Sequence, residues 1–289
     1  MSDNVLIPRL AIIGVGLIGG SLSLALKEAG AVGEVIGCGR GKPNLEKAIE
    51  LGVIDSYRRD PSEAVKGADV VFLATPVQTL GLVTQQCLPG LKPGAIITDG
   101  GSVKGDVVKA IEPLLPEGVH FVPGHPIAGT ENSGAEAAFP SLYHDKRCIL
   151  TPTENTDPQA LELIEQMWRT VGSDVVRMPL EKHDKILAAI SHLPHMVAYS
   201  LVNAVGSYDH YEENILEYSA GGFRDFTRIA SSDPTMWRDI AETNRDALLE
   251  MLDQFEKSLA ELKADIAEGH GEKLFEFFLR SKQLRDAIL

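Results

Sequence analysis

The stretch "LAIIGVGLIGGSLSLALKEAG", residues 10–30, constrains the fold more than any other part of the chain. It joins an apolar, β-branched run to a segment of helical spacing through Gly14-Val15-Gly16-Leu17-Ile18-Gly19. A GxGxxG set between a strand and a helix leaves few architectures open. The first glycine permits a tight turn, the second lets the backbone approach a pyrophosphate, and the third brings helix close to strand. Phosphates then lie at the helix N-terminus, where backbone N–H groups and the helix dipole favour anions. Gly14, Gly16 and Gly19, with Leu17 and Ile18 between them, are therefore expected to bind a dinucleotide.

The same alternation continues. Short apolar runs at 34–38, 68–76, 94–99, 119–124 and 147–153 alternate with helix-like segments such as "NLEKAIELG" and "VKGDVVKAIEPLL". Near-continuous apolar strands between helices predict a doubly wound, mostly parallel sheet of the Rossmann type, covered on both faces. After about residue 178 the strand signals stop, so residues 1–178 are expected to form the dinucleotide-binding domain and 179–289 an all-helical one. Residues 180–207 read as a helix interrupted at Pro194. Its second half is apolar nearly all round and is expected to be buried on every side. Asp233 and Pro234 form an N-cap and first-turn pair. Leu248, Leu252, Phe255, Leu259, Leu262 and Ile266 then alternate steps of four and three, the seam of a helix lying along another helix. Gly269-His270-Gly271 ends that helix, and a last one follows.

With 44% hydrophobic and 24% charged residues, the composition is that of a globular protein. A net charge of −14 argues against nucleic acid as a partner, which needs a basic face, and requires any anion-binding site to be locally basic. Cys38, Cys87 and Cys148 lie far apart, as expected for a reducing compartment. The N-terminus lacks a basic and then apolar leader, and no run of about 18 apolar residues occurs, so neither export nor a membrane span is expected. The expected location is the cytoplasm.

Ligands of doubly wound sheets sit beyond the carboxyl ends of the strands. Three polar clusters fall there: Thr75 and Pro76 in "TPVQT", Ser102 in "DGGSVKG", and His125 in "VPGHPIAGTENSG". Ser102 is placed to cap a helix starting near Val103, and its hydroxyl can face a ligand as well. His125 precedes a proline, which excludes it from a helix. With an ordinary pKa of about 6.5, a histidine there suits proton uptake at neutral pH. In the helical half, His192 and His195 share a helix face, without the further ligands a metal site would need. Arg224 and Arg228 lie four apart behind two glycines, the form of a carboxylate clamp. After the second strand, where NAD sites place an acid for the ribose, the chain reads "GCGRGKP". Arg40 and Lys42 fit a 2′-phosphate, Arg40 also fits stacking on adenine, and both fit plain solvation. The choice between NAD and NADP stays open.

The set "GVGLIGGS", "ITDGGSVKG", "GHPIAGTENSG", "SHLPH" and "GGFRDFTRIASSDPTMWRDI" closely resembles the prephenate/arogenate dehydrogenase family of tyrosine biosynthesis, over essentially the whole chain. The resemblance implies oxidative decarboxylation, in which hydride leaves C4 of a cyclohexadienol and carbon dioxide leaves C1. It implies that His125 accepts the proton of the C4 hydroxyl and that Ser102 sits between that hydroxyl and the nicotinamide. His195 and Arg228 match substrate-binding positions, as does Ser191 within "SHLPH". Arg224 stands where some relatives carry lysine. Thr130 and Glu131 match a polar edge of the pocket, and Trp237 a wall. Pairing through the helical halves implies a homodimer. The extent of the chain on either side of the motifs suggests no fused chorismate mutase or regulatory module. Whether the substrate carries a keto or an amino group, and whether tyrosine inhibits, stays open. Two rivals stand. A β-hydroxyacid dehydrogenase would need a catalytic lysine, for which Lys182 and Lys185 are the candidates, outside any matching motif. A non-catalytic dinucleotide-sensing regulator explains the glycines but not His125 with Arg224 and Arg228.

Overall fold

The computed structural model describes residues 5–130, 132–208 and 215–288. Strands β1 (Ile7–Ile13), β2 (Val32–Cys38), β3 (Ser56–Arg58), β4 (Val70–Leu73), β5 (Ile96–Asp99) and β6 (His120–Val122) form one parallel sheet. Their order is β3-β2-β1-β4-β5-β6, which reverses between β1 and β4 and so opens a crevice at the carboxyl edge there. Helices α1 (Leu17–Glu28), α2 (Lys42–Glu50), α3 (Pro61–Ala64), α4 (Leu80–Cys87) and α5 (Gly105–Ile111) make the crossovers. A further helix, α6 (Pro158–Thr170), begins at Asp157, whose carboxylate accepts from the amides of Gln159 and Ala160. It sends Trp168, fully buried, against Phe72 and Tyr143 in edge-to-face contacts of 5.8 and 5.1 Å. These rings anchor the core on one face of the sheet, while Val71, Leu73 and Ile97 point into the other.

The expected single sheet is in fact two. Pro123 has no N–H to continue the ladder, so β6 stops at Val122 and the chain enters a separate three-stranded sheet. This sheet comprises β7 (Gly124–Pro126), β8 (Arg147–Leu150) and β9 (Asp174–Arg177), with β7 antiparallel to β8 and β8 parallel to β9. His125 is therefore a strand residue paired with Ile149, rather than a loop residue.

The helical half follows β9. Helix α7 (Leu180–Leu187) runs into a π-turn (Ala188–His192) and then α8 (Leu193–Gly206). Pro194 lies in the first turn of α8, where its missing N–H is tolerated, and the π-turn absorbs the disruption before it. Next come α9 (Gly221–Thr227), α10 (Pro234–Thr243), α11 (Arg245–Glu268) and α12 (Gly271–Asp286). Asp233 caps α10 through the amide of Met236 at 2.9 Å, and Gly269, at φ 71°, ends α11 in the left-handed region.

The expectation that α8 is buried on every side does not hold within one copy: only Ala198 is fully buried. Of the α11 seam only Leu248 is buried, while Leu259 and Ile266 are exposed, as are Phe275, Phe278 and Leu284 on α12. A single copy covers one side of these helices and leaves the other bare. Residues Leu180–Gly206 make one helical run of 27 residues containing an 18-residue window of mean hydropathy 1.2, long and apolar enough to cross a membrane, although no unbroken apolar run of that length exists in the sequence. Its inner side carries the polar cluster described next.

Candidate active site

The glycine loop has the form a pyrophosphate requires. Gly14 adopts φ 103°, and a Cβ there would meet the Ala74 carbonyl oxygen at 2.5 Å. A Cβ on Gly19 would meet the Gly14 carbonyl oxygen at 2.4 Å, so both positions are closed to side chains. Gly16 faces open space. Helix α1 begins with no side-chain cap and no acidic residue in its first turn, leaving its N-terminal amides to an anion. Leu17 is buried and Ile18 is half-buried, with its carbonyl accepting from the Tyr143 hydroxyl at 2.5 Å. Asn44 joins this loop to the segment after β7, donating to the Val15 carbonyl at 2.7 Å and accepting from the Ala135 amide at 2.9 Å. Thr75, half-buried, approaches the loop beside Gly14, and exposed Pro76 accepts from the Thr79 hydroxyl.

The Ser102 turn differs from expectation in one respect. Helix α5 starts at Gly105, so Ser102 is not its cap. That role belongs to Asp184 on α7, whose carboxylate accepts from the amides of Lys104 at 2.9 Å and Gly105 at 2.8 Å. Ser102 is half-buried, and its hydroxyl makes no bond among the described residues. Beneath it, Lys104 is wholly buried, ion-paired with Asp99 and bonded to the Gly124 carbonyl at 2.8 Å. Asp99 accepts in turn from the amides of Gly101 at 2.8 Å and Gly124 at 3.1 Å. Burial pulls the Lys104 ammonium below its usual pKa, against the attraction of Asp99. The pair fastens the end of β5 to the start of β7, one residue before His125.

His125 is buried, and its Nδ1 lies 2.9 Å from Nε2 of His183, whose Nδ1 lies 2.8 Å from an Asp184 oxygen. The direction of these bonds follows by elimination. An ionised Asp184 can only accept, so His183 Nδ1 donates and its Nε2, in the neutral ring, accepts. His125 Nδ1 must then carry the hydrogen, which leaves the Nε2 lone pair for a ligand. Burial raises the Asp184 carboxyl, but hydrogen bonds from His183, Lys104 and Gly105 outweigh it and hold the group below the usual carboxylate value. Burial lowers His183, opposed by Asp184. His125 is pushed well below 6.5 by burial first, then by His183, Lys104 and His192. The ordinary value expected from the sequence is therefore corrected downward. His125 is a neutral base at physiological pH.

The helical half closes over this chain of groups. His192 is buried, bonded to Asn244 at 3.1 Å, and burial lowers its pKa to about 4. His195, half-buried, stacks on Trp237 at 3.6 Å, and its Nδ1 donates to the Ser191 carbonyl at 2.8 Å. Burial lowers its pKa, and the charge of Arg228 adds to that. Trp237 packs with Val103, next to Ser102, so α10 meets the Ser102 turn. The structure thus brings together Ser102, His125, Ser191, His195, Arg228 and Trp237. Arg224 is exposed and bonds Ser219 at 3.2 Å, while Thr130 is exposed and accepts from the Asn132 amide. Neither is joined to the cluster, and Arg224 sits in α9 while Arg228 opens the following 3-10 turn, so the two do not share one helix. Glu131 lies outside the described residues. Among the described residues no group of three or more His, Cys, Asp or Glu is placed to hold a metal ion.

Sequence reasoning missed Asp99, Lys104, His183 and Asp184. Adjacent His183 and Asp184 gave a faint signal, since "EKHDK" reads as a solvated helix face. Only the docking of α7 on the α5 N-terminus makes them internal.

The description "Prephenate dehydrogenase, nucleotide-binding domain" matches residues 22–177, and "Prephenate dehydrogenase, dimerization domain" matches 179–280. A cyclohexadienyl dehydrogenase of Zymomonas mobilis is 41% identical, over 97% of this chain and 96% of its own length. A prephenate dehydrogenase of A. aeolicus, solved with hydroxyphenyl propionate and NAD+, superposes with a TM-score of 0.92 at 39% identity, covering 98% of each chain. An arogenate dehydrogenase of Synechocystis gives a TM-score of 0.81 at 30% identity, covering 97% of this chain and all of the other.

Proposed function

Since the chain belongs to the prephenate dehydrogenase family, we propose that it oxidatively decarboxylates prephenate or arogenate, giving 4-hydroxyphenylpyruvate or tyrosine. The observation that carries this reading is the buried run His125–His183–Asp184 beside the Ser102 turn. It presents one unprotonated nitrogen at the carboxyl edge of a dinucleotide-binding sheet. NAD(P), when bound, would supply the hydride acceptor, and Gly14, Gly16, Gly19 and the α1 N-terminus would hold its pyrophosphate.

The chain's own residues handle the proton and the anion. His125 Nε2 takes the C4 hydroxyl proton as hydride leaves C4, and Ser102 orients that hydroxyl. When the C1 carboxylate departs as carbon dioxide, its bonding electrons aromatise the ring and leave a phenolate oxygen. His125 returns the proton there, so no net proton is released. His183 and Asp184 are positioning residues that keep His125 in the tautomer able to accept. Arg228 binds a substrate carboxylate, with His195 and Trp237 forming the wall. The two rivals account for this arrangement less well, since neither needs a neutral base held beside a hydroxyl-bearing turn.

The bare apolar sides of α8, α11 and α12 are covered by a second copy, giving a homodimer. The three cysteines are free and buried, which fits the cytoplasm. The proposed domain division, between residues 178 and 179, is supported by the change from β9 to α7 around it. Tyrosine, with its para-hydroxyl and amino-acid side chain, is expected to compete at the site. The test is a matrix of prephenate and arogenate against NAD and NADP, read at the reduced-nicotinamide absorbance. Turnover of at least one pair with carbon dioxide release supports the reading; substrate-independent binding alone would favour a sensor.

A further inference from the structure

The carboxyl edge of β2 carries a charge pattern that the chemistry above does not use. Parallel register sets Cys38, the last residue of β2, beside Arg58, the last of β3. The turns Gly39–Gly41 and Arg59–Asp60 therefore emerge side by side, and Arg59 donates to the Arg40 carbonyl at 3.3 Å. The glycine loop adjoins them, since the Gly14 amide donates to the Cys38 carbonyl at 2.8 Å. This is where a bound dinucleotide places its adenine ribose.

An NAD site needs a carboxylate here to take the ribose hydroxyls. Gly39 holds that position and has none. Asp60 is committed elsewhere: it caps α3, accepting from the amides of Ser62 at 2.8 Å and Glu63 at 3.3 Å and from the Ser62 hydroxyl at 2.8 Å. Glu46 is paired with Lys42 at 3.1 Å. The Arg40 guanidinium is exposed and has no partner among the described residues, and Arg59 has none for its charge. Two unpaired guanidinium groups next to a missing carboxylate, in a protein of net charge −14, form a local excess that a dianion relieves.

We propose that Arg40, supported by Arg59, binds the 2′-phosphate of the adenine ribose and makes the chain select NADP over NAD. The proposal rests on the dinucleotide reading and adds the identity of the cofactor. A guanidinium fork matches phosphate oxygens in two parallel bonds, which ribose hydroxyls cannot reproduce. Gly39 contributes by leaving room: a Cβ there would touch only the Leu45 side chain, at 3.5 Å, so the position admits an acid that would reverse the choice.

Calorimetric titration with ADP-ribose and 2′-phospho-ADP-ribose tests this without turnover. The wild type should bind the phosphorylated fragment about ten- to a hundredfold more tightly, the usual range for a charge-assisted bond. Arg40→Ala should remove that preference while ADP-ribose binding stays within about twofold. Gly39→Asp should favour ADP-ribose. Equal affinities in the wild type, or a preference that survives Arg40→Ala, would overturn the proposal and leave prephenate turnover with NAD unaffected. Failure of both fragments to bind would overturn it together with the dinucleotide reading.

Discussion

Asp184→Asn tests whether the orientation of His125 is set from a distance. Both Asp184 oxygens face donors: Oδ1 receives His183 Nδ1 at 2.8 Å and the Lys104 amide at 2.9 Å, while Oδ2 receives the Gly105 amide at 2.8 Å. An asparagine must set its NH2 group against one of these. Pointed at Gly105, it orphans a helix-terminal amide, at a cost of about 1–3 kcal/mol. Pointed at His183, it forces that ring to accept at Nδ1, so His183 Nε2 becomes the donor and His125 Nδ1 the acceptor. His125 Nε2 then carries the hydrogen and has no lone pair for the substrate. General-base assistance is worth about 10²- to 10⁴-fold, so kcat should fall by up to that factor with KM changed little. Steady-state rates followed by nicotinamide absorbance, with a thermal melt of the same sample, separate the two effects. A folded variant that keeps kcat within about threefold of wild type and also keeps the wild-type melting temperature would refute the relay, because each orientation of the asparagine must cost either the base or the helix-terminal amide.

Lys104→Met should be among the most destabilising single changes, since it strands the buried Asp99 carboxylate; a loss of about 3–5 kcal/mol is expected in denaturant titration. Gly19→Ala should destabilise because its Cβ meets backbone, whereas Gly16→Val should leave the melting temperature nearly unchanged and abolish nucleotide binding, since the space there is open for the cofactor. Arg228→Ala should raise KM for prephenate and leave nucleotide affinity unchanged; an unaltered KM would remove Arg228 from the site.

What the sequence made legible were features with local causes. The GxGxxG turn, the Asp233–Pro234 start and the Gly269 stop each depend on neighbouring residues, and each is present, whereas the interruption expected at Pro194 is only a π-turn at Ala188–His192 within a continuous helical run. Strands β3 and β9 went unseen because "SYR" and "DVVR" are short and charged, and they earn strand geometry only by pairing at sheet edges. The surroundings of the candidate site divide the same way. His125 was visible from a motif, but its depressed basicity comes first from burial and then from His183, Lys104 and His192, the two histidines 58 and 67 positions away. Capping of α5 by Asp184 instead of Ser102 likewise requires α7 to dock on α5, which no local pattern encodes.

The central claim is that His125 is a neutral, buried base, and the pH dependence of kcat/KM measures it directly, because that parameter reports the free enzyme. Protonation removes the lone pair, so activity is present above the pKa of His125 and is lost as pH falls through it. With that pKa held well below 6.5, the rate should stay level on its acid side down through pH 6.5 and fall only below it. His125→Asn should lower kcat by about 10²- to 10⁴-fold and erase that acidic limb. An acidic limb centred at 6.5 or above, or the same limb surviving in His125→Asn, would place the base elsewhere and contradict the account.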